Sequence, residues 1–332
     1  MKKNLLATAI VLPLAGLAAP AFADCGNVTI ASMNWQSAEV LAALDAFILG
    51  NGYGCEAEII SGDTVPTITS MVERGAPDIA PEGWIDLVPE VIQQGLAEGR
   101  IVGAAYAVSD GALQGWWIPQ YIADAHPDIR TIEDVRAHPE LFPDPEDSSK
   151  GAIYNGPQGW GGTVVTTQLF NAFDFADAGF NLIDTGSAAG LDGSIARAYE
   201  HEEGWAGYYW SPTALLGRYA MVKLQHGVDL DMDEWTRCTS NGECPDPKPN
   251  DWPLDRLQTI VTSSFAERAG DDVMAYLNTR AWDNATVNAL MAWMTDNQAT
   301  GEDGARYFLE NNEDIWTQWV TADAADKVRA AL

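Results

Sequence analysis

Four tryptophans share a local context that suits them to hold a ligand. Trp35 stands in SMNWQSAEV, Trp84 in PEGWIDL, Trp160 in YNGPQGWGG and Trp210 in YYWSPT. Each follows a strand-like run and precedes a helix-like one, so each falls at the carboxyl end of a strand, where open α/β sheets bind ligands. Around Trp160 lie Gly156, Pro157, Gly159, Gly161 and Gly162, a turn in which nothing local covers the ring. Aromatic faces converging on one point attract cations, and quaternary ammonium groups are recognised in this way. Each desolvated face contributes roughly 0.5–2 kcal/mol, so four supply about 3–6 kcal/mol. Micromolar binding requires about 8 kcal/mol, and methyl-group burial supplies the rest. An ordinary ammonium would lose water from its N–H donors in such a box. The set therefore selects for N-methylation.

The elements that must bring these residues together alternate along the chain. Strand-like Val28–Met33, Glu56–Ile60 and Asp78–Glu82 are followed by helix-like Ser37–Leu49, Thr64–Glu73 and Leu87–Glu98. The strand-like run LQGWWIP at Leu113–Pro119 ends this block. A second block runs through Gly151–Tyr154, Gly162–Phe173, Leu182–Asp184, Gly193–His201 and Trp205–Tyr209, and each block contributes two of the four tryptophans. An irregular segment, Cys238 to Pro253, precedes strand-like Leu257–Ser263 and a helical tail. This is α/β wiring in two lobes. Trp282, Trp293, Trp316 and Trp319 lie in helical patterns of the tail and are assigned to packing. Trp116 and Trp117 are successive in a strand, so one is expected to face inward and the other outward.

Lys2 and Lys3 precede an apolar run from Leu5 to Leu17, and Ala21-Phe22-Ala23 is a cleavage signature. Residues 1–23 read as a secretory signal peptide, and the mature chain as exported. In an exported chain four cysteines argue for two disulfides. Cys238 and Cys244 bracket a short polar turn. Cys25 and Cys55 each precede a strand-like run, so a Cys25–Cys55 bond would staple the entrances of two neighbouring parallel strands. Of the three possible connectivities this is the most economical. Without Cys-x-x-Cys spacing or clustered histidines, neither a metal nor a cofactor is expected. An acidic DPED at Asp144–Asp147 is read as a solvated loop and not as a calcium site. With 48 acidic against 18 basic residues the net charge is −30, which disfavours nucleic acid and anionic membranes as partners.

EGWIDLVPE, NGPQGWGG, YYWSPT and the order of segments resemble the periplasmic substrate-binding proteins of ABC transporters for glycine betaine, choline and related methylated amines. The resemblance covers essentially the whole mature chain at low identity. It implies a two-lobed, type II-like periplasmic binding fold with the ligand in the interlobe cleft: residues 24–115 plus 256–332 in one lobe and 116–255 in the other. The chain would cross near Leu113–Pro119 and Asp251–Leu257. By the same resemblance Trp84, Trp160 and Trp210 line the cage, and the amides of Gly161 and Gly162 hold a ligand carboxylate. Trp35, and Tyr121 in PQY, match the choline-binding members. Two departures remove partners for a long ligand tail: Val88 where some betaine binders carry histidine, and Ser37 where choline binders carry aspartate. A compact ligand, trimethylamine N-oxide, needs neither and ranks above betaine and choline. Glu82 or Asp86 would accept a hydrogen bond from its protonated form. The implied partner is an inner-membrane permease, and the protein a periplasmic monomer.

The rival classes find less support. For an α/β hydrolase, TGSAAG at Thr185 has the wrong spacing for a nucleophile elbow, and the four histidines show no metalloprotease spacing. GPQGWGG lacks the lysine of a P-loop. A sugar-binding protein would also use tryptophan faces, with more polar side chains mixed into the same loops.

Overall fold

A computed structural model of the chain describes residues 25–332, and the expected signal peptide lies outside them. The strands are β1 (Asn27–Met33), β2 (Glu56–Gly62), β3 (Ile79–Trp84), β4 (Ile101–Tyr106), β5 (Leu113–Pro119), β6 (Gly151–Asn155), β7 (Phe180–Asp184), β8 (Gly207–Ser211), β9 (Met221–Lys223) and β10 (Leu257–Thr262). They form two five-stranded sheets, ordered β2-β1-β3-β10-β4 and β7-β6-β8-β5-β9. Both follow one plan. In the first, β1 runs parallel to β2 and β3, and β10 lies antiparallel between β3 and β4. In the second, β6 runs parallel to β7 and β8, and β5 lies antiparallel between β8 and β9. The antiparallel strand in each sheet is the first one laid down after the chain changes sheets. The two crossings touch through paired bonds between Ala112 and Asp255, each 3.1 Å. This is a two-lobed α/β architecture.

Helix Gln36–Tyr53 follows β1 and ends at Gly54, whose φ of 74° is a left-handed conformation that suits glycine. It is apolar around much of its circumference because it is covered on two sides: β1 and β2 below, and tail helices Gly301–Asn311 and Ala322–Ala331 outside. At Gly301 a Cβ would stand 2.8 Å from the backbone of Glu39, so only glycine permits that approach. The tail tryptophans complete this packing. Trp316 is fully buried and donates from Nε1 to the Leu309 carbonyl at 2.8 Å, while Trp282 and Trp319 pack on Phe308. Trp293 stacks on Tyr307 with centroids 3.8 Å apart.

Neither Trp116 nor Trp117 faces water, contrary to the expectation from strand alternation. Both are buried, Trp116 against Phe175 and Trp117 with Nε1 donating to the Tyr209 carbonyl. Strand β5 is flanked on both edges, and both of its faces are covered, so alternation here sorts side chains between two packed layers. Cys25 is bonded to Cys55 at the entrances of β1 and β2, and Cys238 to Cys244. No helix among the described residues is long and apolar enough to cross a membrane.

The first lobe also buries an ion pair. Arg280 Nε lies 2.7 Å from Asp45 Oδ1, which also accepts from the Tyr276 hydroxyl at 2.5 Å. Arg280 Nη2 donates to Thr259 Oγ1 and to the Pro81 carbonyl, tying the tail to β10 and β3. Burial pushes the Asp45 carboxyl above its ordinary value even though the guanidinium pulls it down. Such a pair stabilises little as a whole, yet removing one partner strands a buried charge. Asp45→Ala should therefore lower unfolding free energy by about 3–5 kcal/mol. Urea denaturation followed by circular dichroism measures this, and a loss under about 1 kcal/mol would contradict it.

Candidate functional site

Strand β3 ends in Pro-Glu-Gly-Trp, and every residue in it is buried. Glu82 Oε1 accepts from three donors: Trp35 Nε1 at 2.7 Å, Trp84 Nε1 at 3.1 Å and Ser37 Oγ at 3.1 Å. One carboxylate oxygen thus turns two indoles, from the ends of β1 and β3, to a common orientation. Its second oxygen, Oε2, is buried without a partner. Burial raises the Glu82 carboxyl above its ordinary value; the three donors and the positive charge of Arg280 pull it back.

The second lobe presents Trp160 and Trp210 to this pair. Trp160 lies in the turn after β6 and caps helix Gly161–Ala172. Its Nε1 donates to Asn34 Oδ1 across the cleft at 2.5 Å. Its ring stands perpendicular to Trp35, centroids 5.6 Å apart, and to Trp210 at 5.1 Å. Trp35, Trp84, Trp160 and Trp210 line one cavity together with Gln114 and Tyr208. The cavity is about 10 Å³, roughly the room one water-sized sphere needs, so the rings stand nearly closed on one another. A larger interlobe cavity of about 340 Å³ shares Trp35 and Trp210 and holds the Asp192 carboxylate and Arg218.

The glycines after Trp160 are required by close approach. A Cβ on Gly161 would come within 2.5 Å of Leu87 in the other lobe, and one on Gly162 within 2.4 Å of the Tyr208 ring. The lobes are in contact at this turn, since Val65 N donates to the Gly159 carbonyl at 3.1 Å. As the first two residues of the helix, Gly161 and Gly162 have amides that no intrahelical carbonyl can reach, and these form the positive end of the helix dipole.

Two expected residues stand elsewhere. Tyr121 is not in the cavity: its hydroxyl donates to the carbonyls of Ala198 and Glu203, and its ring packs on Tyr199. Strand direction explains this. Because β5 runs antiparallel to β8, Gln114 at its start pairs with Trp210 at the end of β8. Tyr121, just past the other end of β5, is carried about 20 Å away along the strand. Burial pushes its phenol up to about 12. Asp86 is not free to meet a ligand, because its carboxylate holds Arg256 through Nη2 at 2.6 Å and Nε at 3.1 Å. Its carbonyl accepts from Trp235 Nε1 at 2.6 Å, a contact near the crossings. Ser37 is committed to Glu82, and Val88 is buried.

Gln114 and Tyr208 were not singled out from the sequence. The one available signal was Gln114 as the lone polar side chain in LQGWWIP. Its place opposite Trp210 is a long-range register that no local pattern encodes.

The model of the family described as the substrate binding domain of ABC-type glycine betaine transport systems matches residues 26–311. A relative named trimethylamine N-oxide-binding protein, from Pelagibacter ubique (strain HTCC1062), is 22% identical over 299 residues, 87% of this chain and 89% of that protein. Solved structures share the fold. The glycine betaine, L-proline-binding protein ProX of Borrelia burgdorferi superposes with a TM-score of 0.71 at 18% identity, over 91% of this chain and 99% of that one. A choline-binding protein in complex with choline gives 0.69 at 19% identity, over 92% and 98%. Lactococcal OpuAC, closed on glycine betaine, gives 0.67 at 17%, over 89% and 100%.

The Glu82 environment generates a pH dependence for cations. A permanently charged probe such as tetramethylammonium favours the ionised carboxylate. Since burial raises the Glu82 pKa above its ordinary 4.5, affinity should be full above the raised value and fall as pH drops through it. Without a ligand the sign reverses: the native state loses stability as pH rises from the ordinary value through the raised one. Calorimetric titrations across pH 4–8 test this at about one-unit steps, and Glu82→Gln should bind more weakly with a flat profile. A wild-type profile equally flat would contradict the assignment.

Proposed function

Because this chain belongs to the family of substrate-binding domains of ABC-type glycine betaine transport systems, we propose that it captures trimethylamine N-oxide in its four-tryptophan cage and delivers it to the permease of an ABC importer. It acts as a solute-binding protein with no catalytic step, exported to the periplasm and working as a monomer. The observation that carries this reading is the arrangement around Glu82. Trp35 and Trp84, held by one buried carboxylate oxygen, meet Trp160 and Trp210 from the other lobe around a single cavity. Aromatic faces backed by a negative charge suit a trimethylated nitrogen.

The choice within the methylated amines rests on the missing tail partners. Ser37 is engaged by Glu82 and Val88 offers no polar atom, so neither position where the relatives carry a tail partner holds a free polar group. The similarity to a trimethylamine N-oxide-binding protein favours the same ligand. Glycine betaine is the second reading, supported by the amides that begin helix Gly161–Ala172, a natural seat for a carboxylate.

Calorimetry with trimethylamine N-oxide, glycine betaine, choline, dimethylsulfoniopropionate, carnitine and maltose should give tightest binding to the N-oxide and none to maltose. Tight betaine binding without N-oxide binding would reverse the ranking, and binding of maltose alone would end the cage reading. Trp84→Ala, Trp160→Ala and Trp210→Ala should each weaken binding by roughly 1–3 kcal/mol. Trp316→Ala should instead lower stability and leave affinity nearly unchanged, and equal behaviour of the two groups would contradict the sorting.

A further inference from the structure

The cage accounts for the methyl groups of an N-oxide and leaves its oxygen unassigned. Oxygen bonded to a trimethylated nitrogen carries the ligand's negative charge and has no proton at neutral pH, so it requires a donor. The indoles of Trp35 and Trp84 have given their N–H groups to Glu82, and that of Trp160 has gone to Asn34. The Tyr208 hydroxyl is spent as well, donating to Gln114 Oε1 at 2.5 Å. With the amide oriented so that Oε1 meets the Tyr208 hydroxyl, the donor Nε2 is turned the other way. The other end, Nε2, is buried, reaches no partner at full hydrogen-bond geometry and lies beside the Asp255 carboxyl. The residue is 1% exposed and lines the cavity.

We propose that Gln114 Nε2 is a side-chain donor to the ligand oxygen and a residue by which this site distinguishes an oxygen-bearing methylated amine from a bare methylated cation. The inference rests on the cage reading and adds the polar half of recognition. Two hydrogens on Nε2 allow the role. Asp255, buried at the lobe crossing, lies beside Gln114. Its carboxyl stands well above the ordinary range, first through burial, with the Gln114 amide among the groups that moderate it. One amide hydrogen facing Asp255 leaves the second for the cavity. Buried donors without partners are costly, and a ligand oxygen that supplies the missing acceptor recovers that cost on binding. An oxygen-free ligand of the same shape leaves the donor stranded, which is how buried polar groups generate selectivity.

The test compares trimethylamine N-oxide with tetramethylammonium, which fills the cage and carries no acceptor. Gln114→Met keeps the length of the side chain and removes the donor. Gln114→Glu keeps the shape and, once ionised, presents acceptors only, so its titrations are run at pH 8 and above. In both variants the N-oxide should bind about 10-fold or more weakly, with tetramethylammonium affinity unchanged or, for Gln114→Glu, increased. Thermal unfolding of each variant verifies that the fold survives. A loss shared equally by both ligands, or by neither, would overturn the proposal and leave the oxygen to the other donors on the cavity, the Thr64 hydroxyl, the Trp210 indole and the Gly162 amide. Failure of the cage reading looks different: wild-type protein would then bind neither ligand, and the inference would fall with it.

Discussion

The site depends on one buried carboxylate oxygen. Glu82 Oε1 accepts from the indoles of Trp35 and Trp84 and from Ser37, so rings from two different strands are held by a common acceptor. A tryptophan at a strand end otherwise has two χ angles to settle, and a cation–π box works only if the faces converge. Here the N–H edges of both rings are anchored to one oxygen, which sets the two faces relative to each other. Taking a carboxylate out of water is expensive. The three donors offset part of that cost, and so does Arg280, which reaches the Pro81 carbonyl from behind while paired with Asp45. The stability of the first lobe and the chemistry of the cage are therefore linked through neighbouring buried charges.

The second constraint is that no single lobe can enclose a cation. Trp35 and Trp84 belong to the first sheet's strand ends, Trp160 and Trp210 to the second's. The glycine-rich turn after β6 makes the meeting possible, because Gly161 passes Leu87 and Gly162 passes Tyr208 at distances no side chain tolerates. Trp160 then reaches over the cleft to Asn34. The crossings between sheets are paired at Ala112 and Asp255 and braced by Asp86 with Arg256.

Much of this was legible in the sequence because it is written locally. Strand, turn and helix signals placed Trp35, Trp84, Trp160 and Trp210 at strand ends, and the glycines around Trp160 marked a turn in which nothing local covers the ring. What was not legible lies in direction and register. Tyr121 was assigned to the cage by similarity of a short motif, but the antiparallel course of β5 sends it to the opposite edge and brings Gln114 to the cleft instead. Glu82 and Asp86 are two acidic side chains four residues apart in one turn, equivalent on paper. Only tertiary structure separates them, giving one to two tryptophans and the other to Arg256. Trp116 and Trp117 illustrate a related limit, since alternation along a strand says which layer a side chain enters and nothing about whether that layer is wet.

If the cage is completed only when the lobes meet around a ligand, binding and closure are one event. Ligand then shifts the population toward the closed form by its preference for that form. Small-angle X-ray scattering of the protein with and without saturating trimethylamine N-oxide measures this directly. The account predicts a smaller radius of gyration with ligand and no such change in Trp160→Ala at the same concentration. An unchanged radius in wild-type protein that demonstrably binds the N-oxide would contradict it.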